Sequence, residues 1–243
     1  EGQRPSVQKG RLSLLEQEGY VSAGAISVYT TKDAPYAAWG VFRAPMSIKA
    51  SYYVDLFQTP ENYVVVQQKS ESIDTYAVRL KELLDTIEYK TGRKKVVIIA
   101  HSMGGLVARR YLQIFGSEKV DRMILIGTPN QGIVGNTLEY CGVIGEEREC
   151  RDMDASSVFM NKLQSPTLDV PVYNIVGVGC AMDNGDGDGI VLKEKAELKG
   201  AKNYEVKGDC DQFTYLHTEL LKIEQYPQVM KIMFTRWSQE LLL

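Results

Sequence analysis

The fold class this sequence predicts is α/β, with a mostly parallel central sheet and helices on both faces. Three observations carry it. From Tyr63 to Ile126 short β-branched runs alternate with helical stripes, the order that builds right-handed βαβ units. The runs are apolar nearly throughout rather than at every second residue, as in strands covered on both faces. The chain has 243 residues and 44% hydrophobic composition, enough for one large core. A single domain over 1–243 is therefore expected.

The elements follow in order. After a polar start, Gly24 to Tyr29 has the β-branched and aromatic content of a strand, and a loop with Thr, Pro and Gly runs on to Pro45. Met46 to Phe57 is expected to be a helix. Tyr63 to Gln67, a short apolar run before a polar stop, is a strand. Ile73, Tyr76, Ala77, Leu80, Leu83, Leu84 and Ile87 recur at three- and four-residue steps, the stripe of an amphipathic helix that Thr91-Gly92 ends. Lys95 to Ala100 is a buried strand, Gly105 to Phe115 a helix closed by Gly116, and Val120 to Ile126 a strand. The alternation lapses between Ile133 and Leu168, so residues 133–168 are read as an insertion over the sheet. Val172 to Val178 and Tyr204 to Lys207 are strands, and a last helix starts near Pro227, a residue favoured at the first helical position.

Composition excludes some partners. With 28 basic against 31 acidic residues and a net charge of −3, no basic face is available to neutralise a phosphate backbone, so nucleic acid is not an expected partner. The longest apolar stretch, Val96 to Ala100, is far short of the roughly 20 residues that cross a bilayer. The chain opens with Glu1 and shows no basic-then-apolar leader, which fits a leader that was removed or one that was never there. Cys141, Cys150, Cys180 and Cys210 allow two bridges, a Cys141–Cys150 pair closing a short loop, or else four reduced thiols. A secreted or extracytoplasmic setting is slightly preferred over a cytoplasmic one.

The chemistry centres on one turn. The strand Val96-Val97-Ile98-Ile99-Ala100 runs into His101-Ser102-Met103-Gly104-Gly105 and then into a helix. This is the arrangement of a nucleophile elbow, where crossing chains leave room only for small residues two before and two after the serine. Ala100 and Gly104 hold those positions, so Ser102 is the candidate nucleophile. A serine hydroxyl needs a base, and histidine suits that task. Of the two histidines, His101 sits beside the serine on a turn that points the two side chains apart, so packing or exposure beside the elbow is its expected role. His217 is left as the base. An orienting carboxylate is expected from the glycine-rich loop Asp183 to Val191. Asp188 is preferred over Asp183 and Asp186 because Gly189 and then anchoring apolar residues follow it. Asn184, Asp186, Asp188 and Gly189 also open like an EF-hand loop, which keeps calcium as an alternative at this loop. Lys195 stands where the bidentate Glu belongs, and otherwise no metal or cofactor is called for.

These motifs resemble α/β-hydrolases of the lipase and carboxylesterase group. The resemblance rests on Ala100 to Arg109, on Gly127-Thr128-Pro129-Asn130-Gln131-Gly132, on Asp188-Gly189-Ile190-Val191, and on the order Ser102, Asp188, His217. It implies an α/β-hydrolase fold in which residues 133–168 form a lid over an apolar acyl pocket, with Phe159 and Met160 as substrate contacts. It also implies an oxyanion hole with the backbone N–H of Met103 as one donor. The second donor in such lipases follows a His-Gly pair after an early strand; this chain has no such pair, and Thr31 is the positional candidate. The activity implied is hydrolysis of carboxylic esters, lipid-like ones above all, with transient contact at a lipid interface. Acyl transfer or thioester cleavage on the same intermediate, or a catalytically silent binding module, are the alternatives.

Overall fold

The computed structural model describes residues 18–41, 44–52, 54–58, 63–67, 71–135, 141, 147–164, 168–211 and 214–234. The chain divides into two compact units, Glu1–Gln68 with Glu82–Lys94, and Lys69–Lys81 with Lys95–Leu243.

In the first unit, β1 (Val21–Ile26) pairs in parallel with β2 (Met46–Ala50), and β3 (Val54–Gln58) pairs antiparallel with β4 (Tyr63–Gln67). The strand expected at Gly24 to Tyr29 thus starts and ends earlier, because Ser27, Tyr29 and Thr30 close a turn in which Thr30 N donates to Ser27 O and Ser27 N to Thr30 Oγ1. The helix expected over Met46 to Phe57 is two strands. Met46-Ser47-Ile48-Lys49 alternates with period two, and ladder bonds to β1 answer backbone groups that a local helix would have answered only within itself. The second half of helix α1 (Ile73–Thr91) also belongs to this unit. There Ala37 N donates to Tyr89 O, and Lys90 lies 5.0 Å over the Trp39 ring.

The second unit holds four parallel strands in the order β10-β7-β6-β5: β5 is Val96–His101, β6 Val120–Ile126, β7 Val172–Val178 and β10 Lys202–Lys207. All seven residues of β7 are buried, as a strand covered on both faces requires. β5, expected to be equally buried, is an edge strand among the described residues and is only half-buried. Between the strands lie α2 (Met103–Phe115), two short insertion helices α3 (Glu147–Met153) and α4 (Val158–Leu163), the hairpin β8 (Cys180–Met182) with β9 (Gly185–Gly187), and α5 (Lys193–Ala196). The chain continues through α6 (Leu216–Glu219) to α7 (Pro227–Phe234). The apolar residues of α6 and α7, Leu216, Val229 and Met233, share one core with Ile124, Ile175 and Val206 of the sheet.

Because the four strands are parallel, the residues that follow them collect at one sheet edge, the usual place for a site in such folds. Ser102 follows β5, Gly127 follows β6, the hairpin with Asp188 follows β7, and the segment with His217 follows β10. All four cysteines are paired, Cys141 with Cys150 and Cys180 with Cys210, at Cα separations of 5.6 and 5.3 Å.

Candidate active site

Ser102 lies between β5 and α2 with φ +54° and ψ −132°. Only Ala37 shares a positive φ among the described non-glycine residues. A side chain held in that region costs of order 1–3 kcal/mol and persists only where the surroundings enforce it. Here they do so through Ser102 N, which donates to Ile126 O at 2.9 Å, and through Gly105 N, which donates back to Ser102 O at 3.0 Å. Gly105 is a further small residue that close approach requires here. A Cβ on Gly105 would lie 2.1 Å from Thr128 Oγ1, so the first turn of α2 reaches the Gly-Thr-Pro loop only with glycine there.

Asp188 and His217 form a buried pair, each 1% exposed. His217 Nδ1 is 2.7 Å from Asp188 Oδ2. The other carboxylate oxygen, Oδ1, accepts from Ile190 N at 3.0 Å and Val191 N at 2.7 Å. The apolar residues after Asp188 thus hold it by their amides as well as their side chains. A carboxylate oxygen facing Nδ1 places the ring proton there and leaves Nε2 as the basic lone pair. Among the described residues that atom has no hydrogen-bond partner, and neither does the buried Oγ of Ser102. The backbone is fixed too, since His217 N donates to Asp188 O at 2.9 Å. Gly127, with φ +56°, packs beneath the pair; a Cβ there would stand 3.1 Å from both Asp188 Oδ2 and His217 Nδ1. Gly127 carried no signal beyond its place in the Gly-Thr-Pro motif.

The other two aspartates of the loop are placed differently. Asp186 Oδ1 accepts from Gly179 N and Gly187 N, closing the β8–β9 hairpin, and Asp183 lies on the hairpin turn beside a cleft of about 90 Å³. With Asp186 and Asp188 turned to separate tasks, the EF-hand spacing is not gathered around one point. Among the described residues no group of three or more His, Cys, Asp or Glu side chains is close enough to hold a metal ion.

A profile of the alpha/beta hydrolase fold matches residues 58–188, more than half of the chain. The chain belongs to the alpha/beta hydrolase fold family. A phospholipase A(1), LCAT3 of Arabidopsis thaliana, is 38% identical over 71 residues, 28% of this chain and 16% of that protein, so the chain spans only a small part of that relative's length. Among solved structures, the mature lipase BlEst2 of Bacillus licheniformis matches with a TM-score of 0.51 and 18% identity, covering 68% of this chain and 77% of that one. The lin2722 gene product of Listeria innocua matches with a TM-score of 0.56 and 17% identity, covering 94% and 87%. These two likenesses are of fold.

In this alpha/beta hydrolase the remaining expected residues are placed as follows. Met103 is the first residue of α2, so its N–H is among the amides that a helix start leaves without an internal partner. Thr31 belongs to the first unit, where its hydroxyl hydrogen-bonds Asp33 and holds that carboxyl below its ordinary range. Phe159 and Met160 are buried on α4. Neither lines the cleft of about 90 Å³, whose walls mix apolar groups, among them Ile133, Val134, Met182 and Leu192, with Asp183, Asn184 and Lys195. The Cys180–Cys210 bridge, the second of the two that four cysteines allow, lies next to Gly189; the contact of His101 with His217 was not anticipated. No helix among the described residues is long and apolar enough to cross a membrane.

Proposed function

We propose that this chain is a serine hydrolase that cleaves carboxylic esters with lipid-like acyl groups. Ser102 Oγ attacks the ester carbonyl, and His217 Nε2 takes its proton and then hands it to the leaving alkoxide. Asp188 holds the imidazole and stabilises its charged form. Water, activated by the same histidine, releases the acid from the acyl-enzyme. The Met103 N–H is one oxyanion donor. The observation that carries the reading is the buried Asp188–His217 pair at 2.7 Å, ending in an Nε2 without a partner at the sheet edge where a strained Ser102 also has none. The phospholipase name of the relative supports a lipid ester as substrate class. The two disulfides fit an oxidising compartment.

Incubation with a fluorophosphonate tests this reading directly. One label should appear, on the tryptic peptide containing Ser102, and the label should vanish on denaturation before treatment. A folded chain that takes no label and hydrolyses no p-nitrophenyl ester contradicts it.

The same reading gives residues 133–168 the part of a cover over the acyl group, with Phe159 and Met160 on its underside. Replacing both by alanine should change the ratio of kcat/KM for a long-chain to a short-chain ester. An unchanged ratio in a folded variant removes the cover from the proposal.

A further inference from the structure

The segment that carries His217 is one turn of helix, too short to hold its own geometry. Its backbone bonds step over one group. Leu220 N donates to Leu216 O and Leu221 N to Thr218 O, so no amide of the following turn reaches the carbonyl of His217. That carbonyl receives the imidazole of His101 instead, with Nε2 at 2.8 Å. Since a carbonyl only accepts, Nε2 of His101 carries the proton in this contact. The two imidazole rings lie 4.7 Å apart, tilted by 48°. His217 is therefore held by its main chain from both sides, its N–H on Asp188 O and its C=O on the side chain next to Ser102.

We infer that His101 is a positioning residue for the hydrolytic reaction: its Nε2–H ties the backbone of the base to the residue preceding the nucleophile and fixes the approach of His217 Nε2 to Ser102 Oγ. The role rests on the serine-hydrolase reading above. It follows from the chemistry of the two ends. Ser102 and His217 come from loops 115 residues apart in sequence, and small misplacements of reacting groups cost large factors in rate. The donor must sit on the elbow itself, because an anchor elsewhere would fix His217 to the domain without fixing it to the serine.

Three variants test it: His101→Phe keeps an aromatic ring and loses the donor, His101→Gln places an amide donor near the position of Nε2, and His101→Asn carries an amide too short to reach. Each is assayed for kcat and KM on p-nitrophenyl butyrate, for the rate of fluorophosphonate labelling, and for Tm. For the Phe variant we expect kcat and the labelling rate to fall together by about tenfold, the scale of one hydrogen bond expressed in the transition state, with KM within about twofold. Gln should recover most of that loss and Asn should not, although all three shift Tm similarly. A folded Phe variant with wild-type kcat overturns the inference, as does a loss that follows Tm and is equal in Gln and Asn. Where the Phe variant does not fold, the Gln against Asn comparison decides by the same criterion. A wild-type chain that neither labels nor hydrolyses the ester overturns the hydrolase reading and this role with it, and is recognised before any variant is made.

Discussion

Two irregular excursions leave neighbouring strands of the second unit, and they use their buried polar groups in opposite ways. In the insertion after β6, the helices α3 and α4 are tied down. Asp152 Oδ2 accepts from Ile73 N at 2.8 Å, the hydroxyl of Tyr76 donates to Glu149, and Arg109 donates to Leu163 O at 3.1 Å and to Asn130 O at 2.7 Å. These bonds join α3 to the start of α1 and α4 to α2, and their buried polar ends find partners. The acid loop after β7 is tied down as firmly through Asp188, yet its chain of bonds ends at an Nε2 with no partner. An unsatisfied buried polar atom costs about 1–3 kcal/mol, so a fold tolerates it only where something else is obtained from it. On the proposed hydrolase reading, the difference teaches that buried charge alone does not mark chemistry; what sets His217 apart from Ser47 and Thr128, whose buried hydroxyls also lack partners, is that its Nε2 ends a network anchored on Asp188.

If this contrast is right, substitutions in the acid network should depress kcat with little loss of stability, and those in the insertion network should do the reverse. The largest effect is expected for Ser102→Ala and His217→Ala. Each should lower kcat on a short activated ester by more than about 10³-fold, with Tm near that of the wild type. Next comes Asp188→Asn, which keeps the amide contacts to Ile190 and Val191 but favours the wrong tautomer of His217. A fall in kcat of about 10²- to 10⁴-fold is expected, with KM little changed. Asp183→Asn should leave kcat alone, and a larger loss there than at Asp188 would move the acid to another residue.

The disulfides sharpen the comparison, because one lies in each excursion. Cys180–Cys210 spans 30 residues and Cys141–Cys150 spans 9, so loop entropy assigns them about 4 and about 3 kcal/mol respectively. The double serine variants should lower stability in denaturant melts by amounts in that order. Only loss of Cys180–Cys210, whose Cys210 Sγ accepts from Leu216 N, should also lower kcat. Equal kcat in both double variants would show that this bridge serves stability alone. Arg109→Met should then cost about 1–3 kcal/mol of stability, since it strands the carbonyl of Leu163 and leaves that of Asn130 to Gln164 Nε2 alone, with kcat per folded molecule unchanged. Burial of this guanidinium, which pushes it down to about 10, marks how thoroughly it is removed from water.

The smallest effect concerns Asp152 and pH. Burial, opposed by the Ile73 N–H, raises its carboxyl above the ordinary value of 3.8. A carboxyl raised in the folded state adds stability below its unfolded value and loses that contribution as pH rises through the folded value. Asp152→Asn, which still accepts from Ile73 N, should therefore match or exceed the wild type at pH 7 by about 1 kcal/mol or less, screened because the side chain is part-exposed. The advantage should disappear near pH 3 in urea melts. A loss of stability at pH 7 in this variant would mean that the charge itself holds α3 to α1.

Much of this was legible along the chain. The stripe from Ile73 to Ile87 sits at helical spacing and is buried as that spacing requires, and Val120–Ile126 and Val172–Val178 are strands at the expected residues. Such elements are set by local periodicity, which tertiary context only confirms. Met46 to Phe57 misled because no strong period distinguishes helix from strand there, and the pairing with β1 that decides it lies 25 residues away, as Val21 opposite Met46 shows. The strained turn at Ser102 was readable because such a turn admits few residue types, and the histidine beside Asp188 because the chain has only two to choose between.

What the sequence by itself determined, then, is the alternation of elements, the family they build and the kinds of residue that gather where parallel strands end. Which polar atoms meet was decided only by the tertiary structure. Asp188 against His217 Nδ1, His101 under the carbonyl of His217, Gly127 beneath the pair and Cys180 bonded to Cys210 are all contacts between segments far apart in sequence. Periodicity carries no information about such meetings, because each depends on the order and register in which the strands pack and on the path of the loops between them.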